Sequence, residues 1–162
     1  MIQQVQRVEA QLTQQQNSIE LSFNLPTLEL IFMVRRKCNE DANDWFNYSG
    51  LAGFDIVDSM SLTVNNTVRV NTHEGSWYRL VQPYQHHRVL PRAHIYSYSF
   101  ALFPEEMLIS GSLNFSRFEH AKMHLTLQKD AVSSDDPGTF MCYAPCWNAL
   151  LMKGGGATVT FA

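Results

Sequence analysis

The sequence predicts an all-β fold: an eight-stranded antiparallel jelly-roll sandwich with short helical insertions in its loops. Two observations predict it. Several short segments alternate apolar and polar residues with a period of two, which is the pattern of strands with one buried face. Turn-forming residues separate these segments, and no run of long helical patterns lies between them. About eight strands in two four-stranded sheets would bury their apolar faces against each other, as in a jelly roll.

The amino-terminal segment differs from the rest of the chain. Its apolar residues lie close to helical spacing, at Ile2, Val5, Val8 and Leu12. We therefore expect residues 1–17 to form an amino-terminal arm or a short helix. From Ser18 the period changes to two, so residues 18–162 are predicted to form a single jelly-roll domain. A chain of 162 residues is long enough for one domain with a real core.

In the first half of this domain, strands alternate with one long loop. The strand candidates are residues 19–23, 28–34 and 59–70, which combine alternating patterns with one dense apolar run. Asn65-Asn66 interrupts the third candidate and predicts a hairpin turn or a bulge. The loop over residues 38–55 carries aromatic residues among polar turn formers. Such residues either fold back on the core or are covered by another chain.

The second half continues the pattern. Residues 73–87 suit a short helix or a compact loop ending at Pro83. The run Gly154-Gly155-Gly156 predicts a bulge, a sharp bend or a close approach of two backbones. The strand candidates of this half are residues 95–102, 113–118, 123–127, 149–152 and 158–161.

Composition excludes several classes of function. Charged residues make up 17% of the chain, below the quarter or so that is usual in soluble domains, which fits a surface covered by neighbouring subunits. The net charge is -3 and the one basic cluster is Arg35-Arg36-Lys37, so no nucleic-acid partner is predicted. No segment has the ~18 consecutive apolar residues that cross a bilayer, so no membrane insertion is expected.

The residues that could carry chemistry do not form a recognisable constellation. His86 and His87 are adjacent, so on a strand they would point to opposite faces. His120 and His124 have the spacing of a zinc-binding HExxH helix, but Ala121 stands where that motif has its glutamate. The sequence therefore predicts no catalytic residue, no metal site and no cofactor, and the protein is expected not to be an enzyme.

The segment from His94 to Leu127 carries the most specific pattern. It contains, in order, Tyr98-Ser99-Phe100-Ala101-Leu102, Pro104-Glu105-Glu106, Ser110-Gly111 and Asn114-Phe115-Ser116-Arg117. This run resembles the signature of the major capsid proteins of nucleocytoplasmic large DNA viruses. Further similar segments extend the resemblance over residues 19 to 162: Leu28–Val34, Asp44–Tyr48, Leu80–His87, and Asn148–Leu151 with the glycine run.

The resemblance implies a structural protein that self-assembles. Members of this family have two consecutive jelly rolls and form homotrimeric capsomers that tile an icosahedral shell. This chain has room for one jelly roll and looks like the second, carboxy-terminal one. The implied partners are the chain itself or a sister chain with the first jelly roll, together with neighbouring capsomers and minor capsid proteins. The implied location is the virion capsid, assembled in the cytoplasm of the host cell.

The resemblance also yields site predictions. Trp45, Phe46 and Tyr48 are candidates for a subunit interface, or alternatively plug the end of their own sandwich. Arg117 is either a partly buried charge paired with Glu105, Glu106 or Glu119, or an exposed arginine. The predicted core residues of the signature are Phe100, Leu102, Phe115, Phe118 and Leu125.

Two other classes of function stay open. A jelly-roll binding module, such as a minor capsid, spike-base or glycan-binding protein, would also use loop aromatics beside Asn and Asp. A metal-dependent jelly-roll enzyme would have to use His86, His120 and His124.

Overall fold

The computed structural model of the chain describes residues 2–159, which form a sandwich of two antiparallel sheets and a separate two-stranded hairpin. The strands are β1 (Ile2–Leu12), β2 (Gln16–Glu20), β3 (Pro26–Thr27), β4 (Glu29–Arg36), β5 (Val57–Val64), β6 (Thr67–Glu74), β7 (Tyr96–Ser99), β8 (Leu113–Asn114), β9 (Ala121–Leu127), β10 (Gly138–Asn148), β11 (Leu150–Lys153) and β12 (Gly156–Val159). The helical segments are α1 (Lys37–Asp41), a 3-10 turn (Leu51–Gly53), a π-helical turn (Trp77–Val81), α2 (Gln82–His86) and a 3-10 turn (Phe115–Arg117).

One sheet is organised around β10, and the other runs in the order β2-β9-β5-β6. β10 pairs with β1 along one edge and with β4 and β3 along the other. β7 continues the sheet beyond β4, and β8 continues it beyond β3. All these pairings are antiparallel. The prediction of an all-β antiparallel sandwich with short helical insertions is confirmed, although the described residues contain twelve strand segments rather than eight.

The core lies between the two sheets because each inner face is apolar. In β9, every second residue from Ala121 to Leu127 is buried, and the residues between them are more exposed. At the centre of the opposite sheet, the Phe32 ring stacks on Tyr96 with centroids 5.4 Å apart, and it lies 5.9 Å from Tyr78 on the π-helical turn. The alternation read from the sequence therefore corresponds to burial in the sandwich.

The turn predicted at Asn65-Asn66 joins β5 to β6. Both residues have left-handed backbones, with φ values of 47° and 61°. Two consecutive left-handed residues match the right-handed twist of the flanking strands, and asparagine tolerates this conformation better than most residues. The hairpin prediction is confirmed.

The prediction of a helix or arm for residues 1–17 is wrong. β1 pairs with β10 from Ile2↔Asn148 to Leu12↔Gly138, along its whole length. Ile2, Val8 and Leu12 are separated by even numbers of residues and share the inner face, whereas Val5 lies on the outer face and is 62% exposed. The apolar spacing that indicated a helix thus came from apolar residues on both faces of one strand.

Several boundaries in the second half also differ from the prediction, and the end of the last candidate strand, residues 160–161, lies outside the described residues. The candidate strand 113–118 is a strand only at β8, because the Asn114 side chain accepts a hydrogen bond from Ser116 N and starts a 3-10 turn. The helical segment does not end at Pro83. This proline lies in the first turn of α2, where its missing N–H is tolerated.

Candidate assembly surface

The largest group of exposed apolar residues in the described chain lies on the loop of residues 100–112 and on residues 84–90, at the end of α2 and just after it. Met107 is 91% exposed and Leu108 is 80% exposed. We call this surface the loop patch: Tyr84, Val89, Leu90, Leu102, Phe103, Met107, Leu108 and Ile109. Contiguous exposed apolar residues of this kind mark interaction surfaces on soluble proteins.

The loop that carries the patch is closed at its neck by hydrogen bonds. Leu28 O accepts hydrogen bonds from the backbone N–H groups of Phe100 (2.8 Å) and Ala101 (3.1 Å). Ser110 Oγ accepts a hydrogen bond from Phe103 N at 2.8 Å and donates one to Phe103 O at 3.2 Å. A Cβ atom on Gly111 would lie 2.8 Å from Phe100 O, and Gly111 has a φ of +143°. The Ser-Gly pair seen in the sequence therefore serves to close this loop.

A partly buried charge cluster joins the loop to the sandwich. His87 Nε2 lies 2.8 Å from Glu29 Oε2, and His87 Nδ1 lies 3.2 Å from Glu105 Oε1. Glu29 lies at the start of β4 with its side chain 7% exposed, and the His87 side chain is 15% exposed. We call these three residues the clasp. The close contact with Glu29 raises the pKa of His87, partly offset by desolvation, and Glu105 raises it further.

Additional contacts hold the end of α2 beside the loop. His86 Nδ1 lies 3.0 Å from Leu102 O, and Arg88 N donates to Glu105 Oε2 at 3.3 Å. Arg88 also pairs loosely with Glu106 at 3.9 Å. These contacts hold the end of α2 and the loop side by side, and both segments carry exposed apolar side chains.

The loop that follows α1 carries a second, smaller group of exposed aromatics. Trp45 is 47% exposed. The Arg35 guanidinium lies over the Trp45 ring, with Cζ 5.0 Å from the ring centroid. Phe46 is 83% exposed, and Tyr48 is half-buried. Trp45 thus rests on its own domain through a cation-π contact, whereas Phe46 projects away from it. Their role in a subunit interface stays a prediction.

The β11–β12 hairpin is the third exposed apolar surface. Among residues 2–159, its two strands pair only with each other, around a turn in which Gly154 and Gly155 have positive φ. The hairpin carries exposed Leu151 (58%) and Met152 (75%). Because an isolated two-stranded hairpin is only marginally stable in water, contact with another chain would stabilise it.

The predicted core residues of the signature divide into three groups. Phe115 and Leu125 lie in the core, with 2% and 1% of their surface exposed. Phe100 and Phe118 are half-buried and pack edge-on against Phe115, with centroids 6.0 and 6.4 Å away. The prediction for Leu102 is wrong, since it is 63% exposed. β7 ends at Ser99 and the backbone then turns toward Leu28, so strand alternation no longer applies at Leu102.

The prediction of a buried ion pair at Arg117 is also wrong. Arg117 is exposed, and between residues 2 and 159 it takes part in no salt bridge. Its candidate partners Glu105 and Glu106 lie with His87 and Arg88 instead. The alternative of an exposed arginine is the one that the structure has.

Sequence reasoning missed several ion pairs, two of which are described here, and the tip of the loop patch. Arg79 pairs with both Asp55 oxygens, at 2.6 and 2.9 Å, and Glu29 pairs with His87. The partners lie far apart in the chain, and no sequence signal joins them. The exposed apolar triplet Met107–Ile109 did have a signal, because it follows Pro104-Glu105-Glu106 in a segment that turn formers make a loop.

The histidines considered as metal ligands do not come together in the structure. His120 Nδ1 lies 3.1 Å from Glu20 and His124 Nε2 lies 3.0 Å from Thr63, so the two histidines contact different neighbours. In the described part of the chain, no group of three or more His, Cys, Asp or Glu side chains could hold a metal ion. Over the same residues, no helix is long and apolar enough to span a membrane.

Comparison with known proteins places these features in context. The family model described as "Large eukaryotic DNA virus major capsid protein" matches residues 1–158. The major capsid protein of Chrysochromulina ericina virus is 39% identical over 103 residues, and that of Phaeocystis pouchetii virus is 40% identical over 103 residues. Each alignment covers 64% of this chain, but only 18% and 20% of those relatives.

The fold is similar to that of a solved viral capsid protein. A chain of the quasi-atomic model of the PBCV-1 virus capsid superposes with a TM-score of 0.79 and 25% identity. The superposition covers 99% of this chain and 50% of that chain. The chain described here therefore spans about half the length of that capsid protein, and the relatives matched by sequence are named as capsid proteins rather than as enzymes.

Proposed function

Because the chain belongs to the family of large eukaryotic DNA virus major capsid proteins, we propose that it is a structural protein of an icosahedral viral capsid. In this proposal the domain is the second of two jelly rolls, and it assembles into trimeric capsomers. It does so with copies of itself or with a sister chain that supplies the first jelly roll. The observation that carries the proposal is the loop patch.

The composition of the loop patch supports a role in assembly. Its tip carries Met107, Leu108 and Ile109, whose side chains are 48–91% exposed, so their hydration is removed only when another surface covers them. Aromatic residues and methionine are enriched in protein interfaces, and the patch also contains Tyr84 and Phe103. Burial of such side chains stabilises an interface by roughly 25 cal/mol per Å² of apolar surface removed from water, before the costs of association.

The loop patch is also shaped before any partner binds. The Ser110 contacts and the clasp fix the loop to the sandwich. A pre-ordered loop loses little conformational entropy on association, so more of the burial energy appears as affinity. The aromatics Trp45 and Phe46 are proposed to form a second contact area of the same capsomer.

Measurement of assembly size tests the proposal. The chain alone, and the chain co-expressed with a first-jelly-roll chain of the family, would be analysed by size-exclusion chromatography with light scattering. We expect trimers or larger assemblies in at least one case. The double variant Met107→Asp, Leu108→Asp should reduce the assembled fraction at least tenfold. Val68→Asp is the matched control, because Val68 is a 57% exposed apolar residue on β6, outside the loop patch.

Two results would contradict the proposal. Assembly that is unchanged in the double variant would exclude the loop patch as the interface. A chain that stays monomeric with its partner and binds a glycan would instead favour a jelly-roll binding module. The proposed location, the virion capsid after assembly in the host cytoplasm, is tested by mass spectrometry of purified virions and by immunogold labelling of infected cells.

A further inference from the structure

The clasp places a buried carboxylate against a titratable partner. Glu29 is 5% exposed, and its nearest cation is His87, at 2.8 Å. His87 Nε2 and Glu29 Oε2 lie within ion-pair distance but outside hydrogen-bond geometry, so the contact is an ion pair only when His87 is protonated. A buried carboxylate that loses its only cationic partner is strongly destabilised. The charge on His87 therefore matters more here than at an exposed histidine.

The charged and titratable groups near His87 lie on β4, on the loop and on the residues next to His87 in the chain. Glu29 faces it from β4, and Glu105 faces it from the loop. Arg88, the next residue, lies 3.8 Å from Glu105 and is 79% exposed, so solvent screens its charge. His86 faces away, toward Leu102 O. Two carboxylates thus surround the imidazole.

We propose that the clasp is a pH-sensitive latch, in which protonated His87 fixes the loop patch and its deprotonation at higher pH releases the loop and weakens assembly. This inference rests on the proposed function, since it concerns regulation of the same surface. It follows from the charge of the imidazole and from its number of N–H groups. An imidazolium carries two N–H groups and can face two carboxylates, whereas a neutral imidazole carries one N–H and presents a lone pair to the other carboxylate. Glu105 is the more exposed carboxylate, at 38%, so its contact is the one that breaks.

The direction of the pH effect follows from the raised pKa of His87. The stabilisation by the clasp is fully present below the ordinary histidine pKa of 6.5, and it is lost as pH rises through the folded-state value, which lies above 6.5. The loop should therefore be most ordered in mildly acidic solution and loosen toward alkaline pH.

Hydrogen exchange of the unassembled chain tests the latch without relying on assembly. Exchange of the peptide covering residues 100–112 would be followed by mass spectrometry from pH 5.5 to 9 and corrected for intrinsic exchange rates. We expect protection to fall about tenfold for each unit by which the contact with Glu105 raises the pKa of His87. Glu105→Gln should remove this pH dependence, and because Glu105 is not buried this variant should fold. His87→Gln, whose side chain does not titrate, should remove the pH dependence as well.

The matched control is His120→Gln. His120 also pairs with a glutamate, Glu20 at 3.1 Å, but both side chains are about 60% exposed. This variant should leave the exchange profile of residues 100–112 unchanged. Loop protection that does not depend on pH, or that changes equally in Glu105→Gln and the wild type, would overturn the latch. If the double variant Met107→Asp, Leu108→Asp assembles as well as the wild type while the exchange result holds, the proposed function is overturned and the latch is not.

Discussion

Replacing Phe115 with alanine should lower the free energy of unfolding by about 3–5 kcal/mol. Phe115 is 2% exposed and lies where the 3-10 turn after β8 enters the core. Its ring makes edge contacts with Phe23 at 5.6 Å, Phe100 at 6.0 Å and Phe118 at 6.4 Å. Three rings that each lose a neighbour cannot all move into the space that is left, so a cavity remains.

The magnitude has two parts, the lost transfer energy of a buried phenyl group and the cost of the cavity. For a domain of this size, each kcal/mol lowers the Tm by roughly 2–4 °C. The Phe115→Ala variant should therefore melt about 6–20 °C below the wild type. Circular dichroism during heating, together with urea denaturation followed by tryptophan fluorescence, measures both quantities.

Leu102→Ala is the matched control, because Leu102 belongs to the same sequence signature but is 63% exposed. Its free energy of unfolding should stay within about 0.5 kcal/mol of the wild type. If Phe115→Ala costs less than about 1.5 kcal/mol, or if the two variants lose equal stability, the assignment of Phe115 to the core and of Leu102 to the surface is refuted.

Three further stability predictions follow from individual contacts. Tyr96→Phe keeps the ring but removes the hydroxyl that donates to Asp55 Oδ1 at 3.0 Å, so urea denaturation should show a loss of about 1–3 kcal/mol, and a loss below 0.5 kcal/mol would contradict the contact. Gly75→Ala would place a Cβ 1.9 Å from Val57 O, and we expect a lower Tm and a loss of about 1–3 kcal/mol or more; an unchanged Tm would show that the backbone there can move. Asn65→Ala combines a left-handed φ of 47° with loss of two hydrogen bonds that its side chain accepts, whereas Asn65→Gly removes only the bonds. The alanine variant should be the less stable of the two, and the reverse order would refute the role of the turn conformation.

Local patterns identified the elements whose burial follows from alternation along a strand. Leu125 is buried because β9 alternates without interruption, and the Asn65-Asn66 turn forms because two asparagines tolerate left-handed backbones. The same reasoning misjudged the amino-terminal strand, where Val5 lies on the outer face. A period read over only a few apolar residues does not separate a helix from a strand that carries an apolar residue on each face.

The amino-acid sequence by itself determined the all-β class, the Asn65-Asn66 hairpin and the resemblance to a capsid family. These depend on backbone conformation and on contacts between residues near one another in the chain. Tertiary structure alone decided that Glu29 contacts His87, that Arg117 is exposed, and that Leu102 joins the loop patch. Each depends on where distant segments meet when the two sheets pack. The physical reason is that propensity and periodicity act locally, whereas charge pairing and surface exposure are set by neighbours that the chain brings together only on folding.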